Sequence, residues 1–292
     1  MVSLYPRTDY MDSSARNLEI VVLYHADCAD GFGAAWSAWK KFGVEATYIA
    51  MHHGDPVPND AIGSKVYMLD YCFKGAFFDE VVRNSSELFL IDHHQSAEFA
   101  KSLPGSFDIT HSGAVLSWNY FHPGEATPQL LLHIEDIDLW NFKLEKTTEI
   151  TQAVSSYKHE FGKFSELVLL CESKEGRQRL IQDGEALMRK MNLVIEKVVA
   201  NAETIKFEGM NVPIVNTTNF GSHIAQALIK KGPPIAMYWS RIGKKIVVSL
   251  RSDGTVDVAK LAEKYGGGGH PRASGFSWEE DNFLKIPDSV KK

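Results

Sequence analysis

The sequence predicts an α/β protein: an N-terminal parallel sheet with flanking helices, a helical linker, and a smaller C-terminal α/β domain. Three observations carry this. Short apolar, β-branched runs alternate with helix-period stretches over the first third of the chain, the pattern of strands joined by helical crossovers. A long charged stretch from about 155 to 203 keeps helical periodicity with few turn signals. A second strand–helix alternation then begins near Thr204. At 292 residues the chain exceeds what one hydrophobic core usually serves, and the boundaries fall at 18–154, 155–203 and 204–280.

Each element has its own signal. Residues 1–17 are polar and aperiodic and read as a loose leader. "EIVVLYH" (19–25) is a buried strand by its β-branched content. "DGFGAAWSAWKKFG" (30–43) places Ala, Trp and Lys at helical spacing and stops at Gly43. "VEATYIAM" (44–51) and "KVYMLDY" (65–71) are strands, "GAFFDEVVRN" (75–84) a helix, and "ELFLID" (87–92) a fourth strand. "HSGAVLSWNYF" (111–121) and "QLLLHIEDIDLW" (129–140) keep helical spacing, which assigns Trp36, Trp39, Trp118 and Trp140 to core faces. Beyond the linker come "TIKFEG", "VPIVNT", "HIAQALIKKG", "PIAMYWS", "KKIVVSLRS" and "VDVAKLAEKYG", closing on "GGGGHPRASGF" (266–276).

Composition narrows the function. Acidic residues outnumber basic ones 37 to 31, a formal charge of −6. A protein gripping long nucleic acid by its backbone carries a basic excess, so no long duplex is expected as partner. A short anionic substrate, or one held through metal ions, fits better. Cys28, Cys72 and Cys171 are an odd number without paired spacing, which speaks against a disulfide framework. The N-terminus lacks the apolar core of a signal peptide, and no run of about 18 apolar residues exists to span a membrane. The expectation is a reduced, cytoplasmic protein.

In open parallel sheets, ligands bind beyond the carboxyl ends of the strands. Those ends are where this sequence puts its acids and imidazoles. The first predicted strand gives His25, Asp27 and Asp30, the third gives Asp70, and the fourth gives Asp92, His93 and His94. Asp136 and Asp138 follow in "HIEDIDLW". A lone Asp after a strand is commonly a helix cap; an acid followed by two imidazoles is not. Mixed Asp and His without thiolate clusters suits Mn²⁺, Mg²⁺ or Zn²⁺. So many candidates exceed what one open catalytic ion needs. Two ions about 3.5–4 Å apart would use them, the usual apparatus for hydrolysing phosphate esters.

The four glycines of "YGGGGHPRASGF" allow positive φ and close approach of backbone N–H groups to an anion. The loop follows a helix and precedes a strand, unlike a Walker-type phosphate loop. Gly267, Gly268 and Gly269, with His270 and Arg272 beside them and Arg251 and Ser252 after "KKIVVSL", are the predicted substrate-binding set. Ser112 of "HSGAV" reads as a helix N-cap rather than a phosphate contact.

Together, "YHADCADGFGAAW", "YMLDY" and "IDHHQSA" resemble the motifs of the DHH phosphoesterase superfamily. "VVSLRSDGTVDVAKLAEKYGGGGHPRASGF" is similar to the DHH-associated C-terminal domain of its oligoribonuclease and nucleotide phosphodiesterase branch. The resemblance covers about residues 19–280. It implies two divalent ions, Mn²⁺ first among them, with His25, Asp27, Asp30, Asp70, His93 and Asp136 as ligands and Asp70 bridging. It further implies that His94 faces the scissile phosphate, that Asp92 orients its neighbours, and that the glycine loop captures substrate facing the metal site across a cleft. Asp138 competes with Asp136 for the fourth segment's place. The family's first motif commonly separates its two aspartates by one residue, whereas "HADCAD" separates them by two. Asp27 swings in, or Cys28 takes that place, or the first ion is held more weakly.

The implied activity is metal-dependent hydrolysis of short oligonucleotides or dinucleotides to nucleoside monophosphates. A phosphoanhydride hydrolase of the pyrophosphatase or polyphosphatase kind ranks below it, since those relatives generally lack the GGGGH loop. A non-catalytic nucleotide-binding protein ranks lower still. Oligomeric state, including a homo-oligomer, is open at this stage.

Overall fold

The structure is a computed structural model that describes residues 19–279. The expected leader at 1–17, and the outermost residues of the drawn boundaries at 18 and 280, lie outside the described residues.

β1 (Ile20–His25) sends Val21 and Leu23 into one hydrophobic cluster and Val22 and Tyr24 toward another. A strand apolar on both faces needs cover on both faces, which a parallel sheet with helical crossovers supplies. α1 (Ala29–Phe42), β2 (Ala46–Met51), β3 (Lys65–Leu69), α2 (Ala76–Asn84), β4 (Glu87–Asp92) and β5 (Gly105–Phe107) follow. The five strands run parallel in the order β2-β1-β3-β4-β5. The order reverses at β1 and β3, and the crevice beyond their carboxyl ends is the usual ligand position in such sheets.

α3 (Gly113–Phe121), α4 (Gln129–Asp138), α5 (Thr147–Val154) and α6 (Phe161–Glu172) complete this unit, and α7 (Lys174–Ala200) runs on from it. A helical layer packs Phe32 and Trp36 against Trp118, Leu131, Ile134, Phe164 and Leu167. Trp36 and Trp118 stack at 5.4 Å, and the Trp36 indole N–H donates to Ser165 Oγ at 2.9 Å. Trp140 departs from expectation. α4 ends at Asp138, Trp140 takes a left-handed φ of 55°, and it is 69% exposed. β5, absent from the sequence reading, has three residues. Gly105 at φ 137° lets it pair, because a Cβ there would lie 1.9 Å from the Leu90 carbonyl oxygen.

The chain divides between Glu185 and Ala186, inside α7. Its first half adds Leu180 to the first unit's core, and its second half adds Met191, Ile195 and Val199 to a cluster with Ile224 and Leu228. The second unit comprises β6 (Glu203–Phe207), β7 (Met210–Asn216), α8 (Gly221–Ile229), β8 (Ile235–Ile242), β9 (Lys245–Ser252), α9 (Val258–Glu263), β10 (Gly268–His270) and β11 (Ala273–Glu279). Its six-stranded mixed sheet has the order β10-β11-β9-β8-β7-β6, with β7 and β8 parallel and the other pairs antiparallel. Among the described residues no helix is long and apolar enough to cross a membrane.

Candidate metal centre

Three strand ends build the site. β1 stops at His25, and the turn to α1 carries Asp27 at a left-handed φ of 53° before Cys28 at the helix's N-cap position. Gly31 is required here, since a Cβ would sit 2.3 Å from the His25 carbonyl oxygen. Asp70 follows β3 at φ 54°, a conformation Asp tolerates better than bulkier residues. Its N–H donates to the Ile91 carbonyl, which ties it to β4, and β4 in turn delivers Asp92, His93 and His94.

The side chains converge on Asp70, which is only 2% exposed. Its Oδ2 lies 3.5 Å from His25 Nδ1, and its Oδ1 lies 3.2 Å from His93 Nε2 and 3.6 Å from His94 Nδ1. His93 Nε2 is also 3.6 Å from Asp30 Oδ2 and 3.6 Å from Asp138 Oδ2. Three overlapping groups have ligand atoms within 4.8 Å of one another: His25, Cys28 and Asp70; Asp70, His93 and His94; Asp30, His93 and Asp138.

Two atoms at the centre would suit a cation. Asp70 Oδ1 and His93 Nε2 are buried without a hydrogen bond, although they face each other. A buried polar atom left unmatched costs about 1–3 kcal/mol. A divalent ion accepts lone pairs from both a carboxylate and an imidazole.

The electrostatics point the same way. Burial alone would raise the Asp70 carboxyl, but the His25 and His93 imidazoles outweigh it and hold it at about 2. Burial opposes charge on His93, yet Asp70, Asp30 and Asp138 push it up to about 9. Asp30 is lifted well above the ordinary carboxylate range by burial and then by Asp70 and Asp138. Asp138 is raised by burial and then by Asp70, and burial with the Asp70 charge pushes the Cys28 thiol up to about 12. This pocket resists further negative charge, and a bound cation inverts that balance.

Other acids are positioned by backbone. Asp30 accepts from the N–H groups of Gly113 (2.7 Å) and Ala114 (2.9 Å), so it caps α3 while still reaching His93. Ser112 holds the N-cap position of that helix, as expected. Asp92 Oδ1 accepts from the His93 and His94 N–H groups at 2.7 and 2.9 Å and lies 2.9 Å from His94 Nδ1. That contact assigns the His94 proton to Nδ1 and leaves Nε2 free to accept.

Two expected ligands are elsewhere. Asp136 is not in the cluster: its carboxylate accepts from Lys143 N–H (2.8 Å), Leu144 N–H (3.0 Å) and Thr147 Oγ1 (2.7 Å), pinning the loop after α4. Asp138 takes the place by His93. Asp27 is turned out, its side chain 90% exposed and 3.1 Å from His52 Nε2, and Cys28 stands inward. His53, whose ring lies 5.2 Å from that of His25, carried no spacing signal in the sequence.

In the second unit, Arg251 pairs with Ala273 across β9 and β11, and Ala273 pairs with His270 across β11 and β10. Directly paired residues share a face, so Arg251 and His270 form a row about 10 Å wide. Arg251 donates to Ser222 Oγ (2.8 Å) and Tyr238 OH (3.1 Å), two residues the sequence did not single out. Ser252 is structural, donating to the Val256 carbonyl and accepting from Gly254 N–H. The glycines serve the hairpin. A Cβ on Gly267 would meet the Gly275 carbonyl at 2.1 Å, and Gly269 sits at φ 142°, while Gly268 faces open space. His270 and Arg272 are exposed beside them.

A parallel sheet whose strand ends gather acids and imidazoles around an unmatched carboxylate oxygen is a candidate divalent-metal centre on an α/β frame. Residues 215–292 match the DHHA1 domain model, which accounts for the second unit from the last two residues of β7 onward. Residues 215–292 are thus similar to a DHHA1 domain, and the motifs of the first unit carry the resemblance to the DHH phosphoesterase superfamily. It is 27% identical over 287 residues to uncharacterized protein R106 of Acanthamoeba polyphaga mimivirus, covering 88% of this chain and 67% of R106. Three solved structures share the fold. An exopolyphosphatase-related protein from Bacteroides fragilis has a TM-score of 0.57 at 14% identity, covering 94% of this chain and 90% of that one. PggH from Vibrio cholerae, a pGpG-specific phosphodiesterase, has 0.54 at 14%, covering 93% and 97%. RecJ from Thermus thermophilus, solved with Mn²⁺, has 0.54 at 16%, covering 93% of this chain and 51% of RecJ.

The two helix-borne aspartates should behave oppositely on substitution. Asp136→Asn should cost about 2 kcal/mol of unfolding free energy at pH 7, the worth of hydrogen bonds to a charged group, with metal affinity unchanged. Its folded carboxyl titrates below the unfolded value near ~4, so the difference from wild type is complete above that pH and shrinks as pH falls through the folded value. Asp138→Asn should do the reverse, weakening metal binding at least about tenfold with stability kept, as urea melts and metal titrations would show. Gly113→Ala would bring a Cβ to 2.6 Å from Asp70 Cβ, and should displace Asp70 and cut metal affinity by a similar factor in the same titration.

Proposed function

We propose that this chain is a divalent-metal-dependent phosphodiesterase that hydrolyses short oligonucleotides or dinucleotides to nucleoside monophosphates. One observation carries the reading: Asp70, buried and unmatched, lies within 3.6 Å of imidazoles from two other strand ends. When bound, a pair of divalent cations, with Mn²⁺ the first candidate, supplies an activated water and neutralises charge on the phosphate. Asp70, reached from both the His25 and the His93 side, is placed to be shared. His93 joins Asp30 and Asp138 on one side of it. His94 is held by Asp92 with Nε2 free and its side chain 38% exposed, so it can meet substrate from the solvent edge. Arg251 and His270 in the second unit are suited to a phosphate group.

Support comes from PggH, whose description as a pGpG-specific phosphodiesterase points to dinucleotide chemistry, and from RecJ, solved with Mn²⁺. A reducing, cytoplasmic setting belongs to this reading, in keeping with three free cysteines. The likeness to an exopolyphosphatase-related protein favours a second reading, phosphoanhydride hydrolysis.

The test is digestion of a 5′-labelled dinucleotide with Mn²⁺. Wild type should yield nucleoside monophosphates, and Asp70→Ala should lose at least about 100-fold in rate. Full activity in that variant overturns the reading. Phosphate release from polyphosphate, with the dinucleotide left intact, transfers the assignment to the second one.

A further inference from the structure

We propose that Cys28 is a thiolate ligand on the His25 side of the metal centre, and that this subsite selects a softer divalent ion, of the Zn²⁺, Co²⁺ or Fe²⁺ class, over Mg²⁺. The proposal rests on the two-cation reading above and deepens it.

The first support is positional. Cys28 Sγ, a His25 ring nitrogen and an Asp70 carboxylate oxygen lie within 4.8 Å of one another. They come from the two strand ends at which the sheet order reverses, so the sulfur stands at the frame's ligand position rather than on a surface. The thiol forms no disulfide. The second support is Asp70 itself, 2% exposed, whose Oδ2 lies 3.5 Å from His25 Nδ1 while its unmatched Oδ1 faces His93, so its carboxylate is offered to the Cys28 side as well as to the other. The third is the fate of the neighbouring carboxylate. Asp27, the harder candidate for the same task, is turned outward by its left-handed backbone and held at His52. No carboxylate among the described residues stands where the thiol does.

The donor chemistry then separates the two sides. One imidazole, one thiolate and one carboxylate make three protein ligands with an open fourth position, the pattern of catalytic zinc sites. The other two groups offer only nitrogen and oxygen, which suit Mn²⁺ or Mg²⁺. Coordination releases the thiol proton to solvent, so the Cys28 side gains a compensating negative charge only when an ion is present. A merely structural Cys28 would be a small residue at the start of α1, and serine would serve better there, because its hydroxyl can cap the helix. Cys28→Ser is therefore expected to fold at least as well as wild type.

The experiment is a Co²⁺ titration of the full chain, stripped of metal with a chelator, followed by absorption and by competition with Zn²⁺. Wild type should develop a near-ultraviolet thiolate-to-cobalt charge-transfer band from one of its ions. Cys28→Ser should lose the band and at least about tenfold in Zn²⁺ affinity while keeping its melting temperature, and Cys28→Asp should shift preference toward Mn²⁺. Asp27→Asn should keep the band. Cobalt bound without a charge-transfer band, or unaltered Zn²⁺ affinity in Cys28→Ser, overturns the thiolate assignment and leaves the two-cation reading standing. No binding of Co²⁺, Zn²⁺ or Mn²⁺ by wild type overturns both.

Discussion

A carboxylate buried to 2% exposure is the constraint around which the first unit is arranged. Removing such a group from water costs several kcal/mol unless charge of the opposite sign is brought to it. Asp70 has three imidazoles within 3.6 Å, and Asp30, Asp92 and Asp138 crowd the same group. The neighbours accept this arrangement at a steric limit. Gly113 has no side chain because one would enter Asp70, and Gly31 has none because one would enter His25. A structure that keeps a buried acid with an unmatched oxygen at the end of a central strand, and clears room around it, could hold an ion there.

The acids divide by what their backbone surroundings give them. Asp30, Asp92 and Asp136 each accept two main-chain N–H groups, and each orders a segment: the start of α3, the His93–His94 turn, and the loop after α4. Asp70 and Asp138 have no such donors among the described residues and meet imidazoles instead. A carboxylate already satisfied by amides has little left for a cation, whereas one facing only imidazoles has both lone pairs and charge to offer. Asp30 spans the two roles: both its oxygens accept amides of α3, and Oδ2 also lies 3.6 Å from His93 Nε2. The rigidity of the centre thus comes from amides, and its affinity from the acids that amides do not reach.

This division explains what could be read from the sequence. Buried strands with β-branched runs were legible because a parallel sheet covered on both faces tolerates little else, and the strand-end residues were legible because polar groups there break an apolar pattern. The choice between Asp136 and Asp138 was not. Residues two apart on a helix point to different sides, and which side meets the strand ends depends on a loop that Asp136 itself pins through Thr147. The choice between Asp27 and Cys28 turned on one left-handed φ in a short turn. Trp140 kept helical spacing on paper but lies beyond the end of α4, and β5 is too short to leave a periodic trace. The four glycines were read as an anion cradle, while Gly267 and Gly269 answer to the close approach of β11, a contact no local pattern encodes.

The distribution of charge between the two units makes binding and chemistry one requirement. Two strand ends and two helices of the first unit bring together four carboxylates, Asp70 and Asp92 with Asp30 and Asp138, and among the described residues no Lys or Arg joins the ion pairs around them. Such an edge repels a phosphate. The groups that suit a phosphate, Arg251 and His270, occupy one row on the second unit's sheet, with Arg251 braced by Tyr238 and Ser222. On the proposed function, a phosphoester would approach the acidic edge only where cations had reversed its sign, and such ions would serve as substrate contacts as well as activators of water. On that proposal the protein would have no need of the basic surface that long nucleic acid demands, and a net charge of −6 would suit a small substrate held mainly through metal.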